Sequence, residues 1–248
     1  MKLNTIYNED CLEGMKRIPD GSIDMILCDL PYGTTACKWD TIIPFEPLWE
    51  QYKRIIKPNG AIVLFGREPF TSQLINSNLK GYKHKWVWNK KQSGSFHLAK
   101  YQPLQIEEDI VIFTANGERV NYYPIMRKGK MRKKGGAKPT EHYQNSLKQL
   151  KPHYSDEYYP TNILEFANCR NKKDNLHPTQ KPTDLLKYLI KTYTLEGETV
   201  LDNCMGSGTT AIACLNTDRQ YIGFELEKDY YNIAQDRIKN HEQQLTLI

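Results

Sequence analysis

What the 248-residue sequence lacks already excludes several classes. No apolar run approaches the roughly 18 residues of a membrane-spanning helix, and the opening Met1-Lys-Leu-Asn-Thr-Ile-Tyr-Asn-Glu-Asp10 has acids and amides where a secretory leader needs an apolar stretch. The expected compartment is the cytoplasm, with no membrane partner. The six cysteines, at 11, 28, 37, 169, 204 and 214, contain no Cys-x-x-Cys pair and sit mostly among apolar neighbours. They read as buried free thiols rather than zinc ligands. There is no internal repeat. With 39% hydrophobic and 25% charged residues the composition is that of an ordinary globular protein, and the length suits one core carrying an insertion better than two independent cores.

The net charge of +5 is unevenly spread: residues 80–175 hold 19 basic and 9 acidic side chains, leaving an acidic excess elsewhere. The densest part is Arg127, Lys128, Lys130, Arg132, Lys133, Lys134 and Lys138, interrupted by Gly129, Gly135 and Gly136. This segment reads as a flexible cationic loop. A run of cations alone is often only a solvated surface. Here the same region carries Trp86, Trp88, Phe96, Tyr101, Tyr122, Tyr123, Tyr154, Tyr158 and Tyr159, and cations mixed with aromatics suit a polyphosphate with stackable bases.

Apolar runs alternate with amphipathic stretches, the pattern of an α/β protein with a largely parallel sheet. Strands are expected at Ile23–Cys28, Ala61–Phe65, Lys85–Trp88, Ile110–Phe113, Thr199–Leu201 and Tyr221–Phe224. Helices are expected over about 9–18, 46–57, 69–78, 182–193, 208–217 and 227–241. Between 91 and 175 the alternation lapses except near Ile110, so 91–175 reads as an insertion between core segments 1–90 and 176–248.

Two segments carry chemistry. Thr199-Val-Leu-Asp-Asn-Cys-Met-Gly-Ser-Gly-Thr-Thr-Ala211 is a strand, a glycine turn and a helix start, with Gly206, Gly208 and Ala211 in the G-x-G-x-x-A spacing. Glycines there allow close backbone approach, and the helix offers unpaired N–H groups to an anion. Glu225 ends the next strand, 19 residues after Gly206, the spacing at which an acid meets ribose hydroxyls. No lysine follows the second glycine, which excludes a P-loop. The other segment, Ile23-Asp-Met-Ile-Leu-Cys-Asp29-Leu30-Pro31-Tyr32-Gly33, is a buried strand ending in an acid, a fixed turn and an aromatic face. At the carboxyl end of a strand, Asp29 would face the same crevice as the glycine loop, and the set suits a planar group bearing an exocyclic amine.

Asp29-Leu30-Pro31-Tyr32 resembles the Asp-Pro-Pro-Tyr motif of amino-group DNA methyltransferases. Leu201-Asp-Asn-Cys-Met-Gly-Ser-Gly-Thr-Thr210 resembles their S-adenosylmethionine loop, and His177-Pro-Thr-Gln-Lys-Pro182 the segment before it. Their order is that of the beta group. The resemblance implies a Rossmann-like, circularly permuted S-adenosylmethionine-dependent methyltransferase fold with 91–175 as the target-recognition insertion. It implies transfer of a methyl group to N6 of adenine in double-stranded DNA. Asp29, the Leu30 carbonyl, Pro31 and Tyr32 would hold the flipped base, and residues 127–138 would grip DNA. For the cofactor it implies Glu225 on the ribose, Asp10 on the adenine edge, the turn Gly206, Ser207, Gly208 and Thr209 at the methionine portion, Lys181 near its carboxylate and Asp202 near its amino group. His177 is expected to be structural. Leu30 replaces a family proline, and Asp202-Asn203-Cys204 stands where the family reads Asp-Pro-Phe, removing an aromatic packing group.

A cognate restriction endonuclease and a homodimer are further partners the resemblance admits. Alternatives are N4-cytosine methylation, amino-group methylation of RNA or protein, a nicotinamide-dependent dehydrogenase, and a DNA-binding module with a vestigial site. The dehydrogenase leaves Asp29-Leu-Pro-Tyr32 unexplained.

Overall fold

The computed structural model describes residues 1–33, 40–93, 96–135, 152–168 and 180–245. Cys37, Cys169, Lys138 and His177 lie outside them. The chain forms two compact units, one of Met1–Tyr123 with Asn162–Ile248 and one of Pro124–Thr161. The second is narrower than 91–175, because strands on both of its flanks belong to the main sheet.

The larger unit contains β1 (Thr5–Tyr7), α1 (Cys11–Met15), β2 (Ile23–Cys28), α2 (Phe45–Ile55), β3 (Ile56–Gly66), α3 (Phe70–Ser77), β4 (Tyr82–Asn89) and β5 (Glu107–Phe113). The smaller unit contributes β6 (Arg127–Lys134) and β7 (His153–Tyr158). The chain then returns through β8 (Ile163–Glu165), α4 (Thr183–Tyr193), β9 (Thr199–Asp202), α5 (Thr209–Leu215), β10 (Gln220–Phe224) and α6 (Lys228–Leu245). Among the described residues the main sheet has eight strands in the order β1-β10-β9-β2-β3-β5-β4-β8. Strands β1, β10, β9, β2 and β3 run parallel, whereas β5 is antiparallel to both β3 and β4.

The continuous apolar run of β2 follows from burial on both faces. Met25 and Leu27 point into a core shared with α4, α5 and α6. Ile26 and Cys28 point into one shared with α1, α2 and α3. The result is a sheet sandwiched between two helical layers. Asp24, the one acid within β2, is buried but satisfied: Lys57 Nζ lies 2.7 Å away and the Thr199 N–H donates to its other oxygen at 2.9 Å. That second bond ties the start of β2 to the start of β9. Helix α1 begins at Asp10, whose carboxylate caps the Leu12 and Glu13 N–H groups. Among the described residues, no helix is long and apolar enough to cross a membrane.

The expected cationic loop is instead strand β6, paired antiparallel with β7. It shows no apolar alternation because its residues from Arg127 to Lys133 are all exposed, so neither face demands a hydrophobic period. Three short strands also escape the sequence pattern: β1 and β8 are three residues each, and β7 is polar throughout except for its tyrosines.

Gly14 of α1 packs directly on the buried Phe224 ring of β10, where an added Cβ would lie inside the van der Waals envelope of three ring carbons. Gly14→Ala is therefore expected to destabilise the protein by about 1–3 kcal/mol through overpacking, read as a lower urea midpoint with unchanged m-value.

Candidate active site

Strands β2 and β9 are adjacent and parallel, with Met25 opposite Val200 and Ile26 opposite Leu201. Their carboxyl ends therefore open side by side, and Asp29 and the glycine loop meet in one crevice. The crevice is a cavity of about 740 Å³ lined by Asp10, Asp29, Tyr32, Asp202, Gly206 and Glu225, among others. That volume lies in the range of roughly 300–1,000 Å³ that cofactor and ligand pockets occupy.

On the β9 side, the backbone turns through Gly206 (φ +53°) and Gly208 (φ +80°), values that glycine adopts without strain. The Gly206 N–H donates to Glu225 Oε2 at 2.7 Å, and the Glu227 N–H donates to Glu225 Oε1 at 2.9 Å. Withdrawal from water still leaves the Glu225 carboxyl above its ordinary range. Arg237 of α6 braces the turn, donating to the Ser207 carbonyl at 3.1 Å and to the Thr209 hydroxyl at 2.9 Å. Gly208 caps α5 but is not among the residues lining the cavity. Asp202 is buried; it accepts from the Cys204 N–H at 3.0 Å and the Thr210 hydroxyl at 2.5 Å. Burial outweighs both bonds and pushes its carboxyl up to about 6.

The two departures from the family pattern have local explanations. Asn203 turns inward and accepts from the Tyr52 hydroxyl at 2.5 Å, so an amide and a phenol fill that space. Cys204 stands in the cavity wall. Leu30 is buried in the α1–α3 core and is also among the residues lining the cavity.

On the β2 side, four charged groups converge. Asp29 Oδ2 is 2.5 Å from Lys181 Nζ, and Lys181 is 2.9 Å from Glu108 Oε1. Glu108 Oε2 is also 3.2 Å from Lys90 Nζ. The Tyr32 hydroxyl lies 2.8 Å from Asp29 and 2.9 Å from Glu108, so its single proton is shared between the two carboxylates. One face of Tyr32 stacks on Phe70, with ring centroids 4.9 Å apart.

The two acids are driven apart electrostatically. Burial raises Asp29, Lys181 opposes it, and the charge on Glu108 adds to the rise, leaving Asp29 above the usual carboxylate range. Glu108 feels the same burial, but Lys181 and Lys90 together reverse it and hold the carboxyl low. Burial alone would lower Lys181; the two carboxylates more than compensate and keep it charged.

The structure thus gathers Asp10, Asp29, Leu30, Pro31, Tyr32, Lys181, Asp202, Gly206, Ser207, Thr209 and Glu225 around one cavity. Lys181, expected near the cofactor carboxylate, has its ammonium paired with Asp29 and Glu108 on the β2 side of the cavity. Two site residues escape the sequence reading altogether: Glu108 and Lys90. Strand parity carries their signal, because Glu108 shares a face of β5 with buried Ile110 and Ile112, and Lys90 follows Trp86 and Trp88 on β4. Arg127 to Lys134 belong to the smaller unit. There Lys128 faces Glu157 at 3.0 Å and Asp156 at 3.5 Å, and Lys134 lies over the Tyr158 ring at 3.8 Å.

Comparison with known proteins supplies the family. The family model for N6 and N4 methyltransferases, described as DNA methylase, matches residues 23–236. The chain is 26% identical to the type II methyltransferase M.HpaI of Haemophilus parainfluenzae, over 92% of this chain and 72% of that protein. It is 29% identical to the DNA adenine methyltransferase YhdJ of Escherichia coli K12, over 94% of this chain and 82% of that one. The fold matches M1.HpyAVI, solved as a complex with S-adenosylmethionine (TM-score 0.62, 24% identity, 94% and 98% coverage). It also matches the cytosine-N4-specific PvuII methyltransferase (TM-score 0.65, 15% identity, 93% and 84% coverage). The chain belongs to the DNA methylase family of N6-adenine and N4-cytosine amino-methyltransferases.

Proposed function

We propose that the protein is a site-specific DNA methyltransferase that modifies N6 of adenine. The observation that carries this reading is the meeting of Asp29-Leu-Pro-Tyr32 and the Gly206 turn in one cavity at the ends of adjacent parallel strands. Adenine is favoured over cytosine by the aspartate at the head of the catalytic motif, where the family's cytosine enzymes tend to carry serine. The likeness to an enzyme named for adenine methylation points the same way. The motif order supports the permuted beta group, and the type II names among the relatives support a role beside a restriction endonuclease.

S-adenosylmethionine is the cofactor, and when bound it supplies an electrophilic methyl group on a sulfonium. The acids and glycines fit it. Glu225 would accept from the ribose hydroxyls with lone pairs left over from its two backbone bonds. Asp10 would meet the adenine edge, Asp202 the amino group, and the Gly206–Thr209 turn the methionine portion. The target base, swung out of the duplex, would stack on Tyr32 and give its amino hydrogens to Asp29 and the Leu30 carbonyl. The lone pair of an exocyclic amine is delocalised into its ring. Acceptors on both hydrogens favour the pyramidal, more nucleophilic geometry and stabilise the positive charge that grows on nitrogen. No cysteine in the sequence follows a proline, as the nucleophile of carbon-5 cytosine methyltransferases does, which argues against covalent base activation.

Labelled methyl transfer to duplex DNA, followed by nucleoside analysis, is expected to yield N6-methyladenine; N4-methylcytosine as the product would replace adenine by cytosine. Asp29→Ala should lower the single-turnover rate by roughly 10²–10³-fold or more while DNA affinity stays near the wild-type value. Retention of the rate would remove Asp29 from the mechanism.

The carboxyl of Asp202, raised to about 6, gives a second test. Protonation removes the charge that would face the cofactor amino group, so affinity for S-adenosylmethionine should weaken as pH falls through that value. Calorimetric titration of Asp202→Asn should find weaker binding at pH 8 with this pH dependence gone.

For DNA contact, exposed Lys130, Arg132 and Lys133 on β6 are expected to neutralise phosphates. Replacing all three by glutamine should weaken binding and flatten the plot of log affinity against log salt by roughly 0.9 per lost contact. Lys128→Gln should change the slope less, because Asp156 and Glu157 already oppose that charge. An unchanged slope in the triple variant would return β6 to plain solvated surface.

A further inference from the structure

The transfer mechanism uses Asp29 and Tyr32 but gives no task to Lys181, Glu108 or Lys90. Charged groups withdrawn from water cost several kcal/mol each unless paired, and an apolar wall would have closed the same space. Here two carboxylates and two ammonium groups form a balanced set, with Lys181 between Asp29 at 2.5 Å and Glu108 at 2.9 Å. Lys90 secures the far oxygen of Glu108 at 3.2 Å. Asp29, Lys90, Glu108 and Lys181 all line the cavity.

The chemistry of the target edge matches this pair. In adenine and in cytosine the amino group sits on a carbon that also bears an unprotonated ring nitrogen. The edge is therefore a donor beside an acceptor, about 2.3 Å apart for two trigonal C–N bonds of about 1.33 Å. A carboxylate accepts only and an ammonium donates only. Asp29 and Lys181 thus offer an acceptor beside a donor at nearly the same spacing. The corresponding edge of thymine, a carbonyl beside an N–H, presents the opposite polarity at both positions.

We propose that Lys181 donates a hydrogen bond to the ring nitrogen next to the target amine while Asp29 accepts from the amine, so that the site reads the two-atom edge rather than the amine alone. Glu108 is the positioning residue: its bond to Lys181 holds the ammonium beside Asp29, and Lys90 keeps Glu108 in place. This inference rests on the reading of Asp29 as the acceptor of the target amine. It also accounts for one site architecture serving both bases of the family, since the edge is common to them.

The test is a cycle of single-turnover methyl transfer in the mapped recognition sequence, with adenine or 1-deazaadenine at the target, the latter replacing the ring nitrogen by C–H. If nucleoside analysis finds cytosine as the target, 3-deazacytosine takes the same part. Wild type on the deaza base and Lys181→Met on the natural base should each lose about 10–100-fold, the worth of a charged hydrogen bond. Lys181→Met should lose little more on the deaza base, so the two losses do not multiply. Glu108→Gln should show a smaller loss on adenine that likewise vanishes on the deaza base. Losses that multiply, or a wild-type enzyme equally fast on both bases, would overturn the proposal. Lys181→Arg, which keeps a donor and a charge, serves if the methionine variant does not fold; it should retain a larger preference for the ring nitrogen than Glu108→Gln, and an equal or smaller one overturns the assignment. The Asp29 reading fails separately, if Asp29→Ala keeps the wild-type rate on the natural base.

Discussion

The register between β2 and β9 is the constraint on which the site depends, because it joins two segments that stand far apart in the chain. Asp24 pins that register at the amino ends of the strands through the Thr199 N–H, and the pairing of Met25 with Val200 and Ile26 with Leu201 carries it forward. The consequence appears at the other end, where Asp29 and Asp202 emerge next to each other into the cavity. A slip by one residue would turn every side chain of β2 to the wrong helical layer. Met25 and Leu27 would then face α1 to α3, and the core would resist the change that misaligns the site. Packing on both faces of the sheet is thus what fixes the distance between the Gly206 turn and Asp29.

Within that frame the electrostatics divide the labour between carboxylates of the same chemical type. Glu108, held by two ammonium groups and a phenol, stays ionised and serves as an anchor. Asp29 keeps one partner in Lys181, repels Glu108 and is partly withdrawn from water, so its charge is the less stable of the two. A carboxylate in that condition gains most from hydrogens arriving on an amine. Environments that push paired acids apart commonly mark which member handles the substrate.

How much of this was legible in the sequence depends on the kind of signal each residue leaves. The core strands Ile23–Cys28 and Tyr221–Phe224 are visible as buried apolar runs between turn residues, and the glycine turn because its φ values require glycine at 206 and 208. Asp29 and Glu225 follow from their places at strand ends. Glu108 leaves no such mark: flanked by Glu107 and Asp109, it looks like one of three solvated acids, and only the parity of β5 distinguishes it. Strand β6 is illegible for the opposite reason. Its residues bury almost nothing, so its pairing with β7 rests on backbone bonds and exposed cross-strand pairs such as Lys128–Glu157, which impose no apolar period. Lys181 was visible as a site residue, but its partners lie just past the end of β2 and on β5, and no local pattern could name them.

The placement of the smaller unit in the chain has a physical logic of its own. It leaves the larger unit after Tyr123, whose N–H is bonded to the Thr192 carbonyl at 2.8 Å, and the chain resumes at Asn162, whose carbonyl accepts from the Val87 N–H at 2.8 Å. Both exits are therefore fastened to the main sheet and its helices, and β8 resumes pairing with β4 directly afterwards. Segments between such fixed points can change in length and charge at small cost to the core, since loop-closure entropy grows only slowly with length. The larger unit carries the registered strands around the cavity, whereas the hairpin of β6 and β7 presents exposed cations and tyrosines. The hairpin can therefore vary in sequence without disturbing the β2–β9 register that positions Asp29.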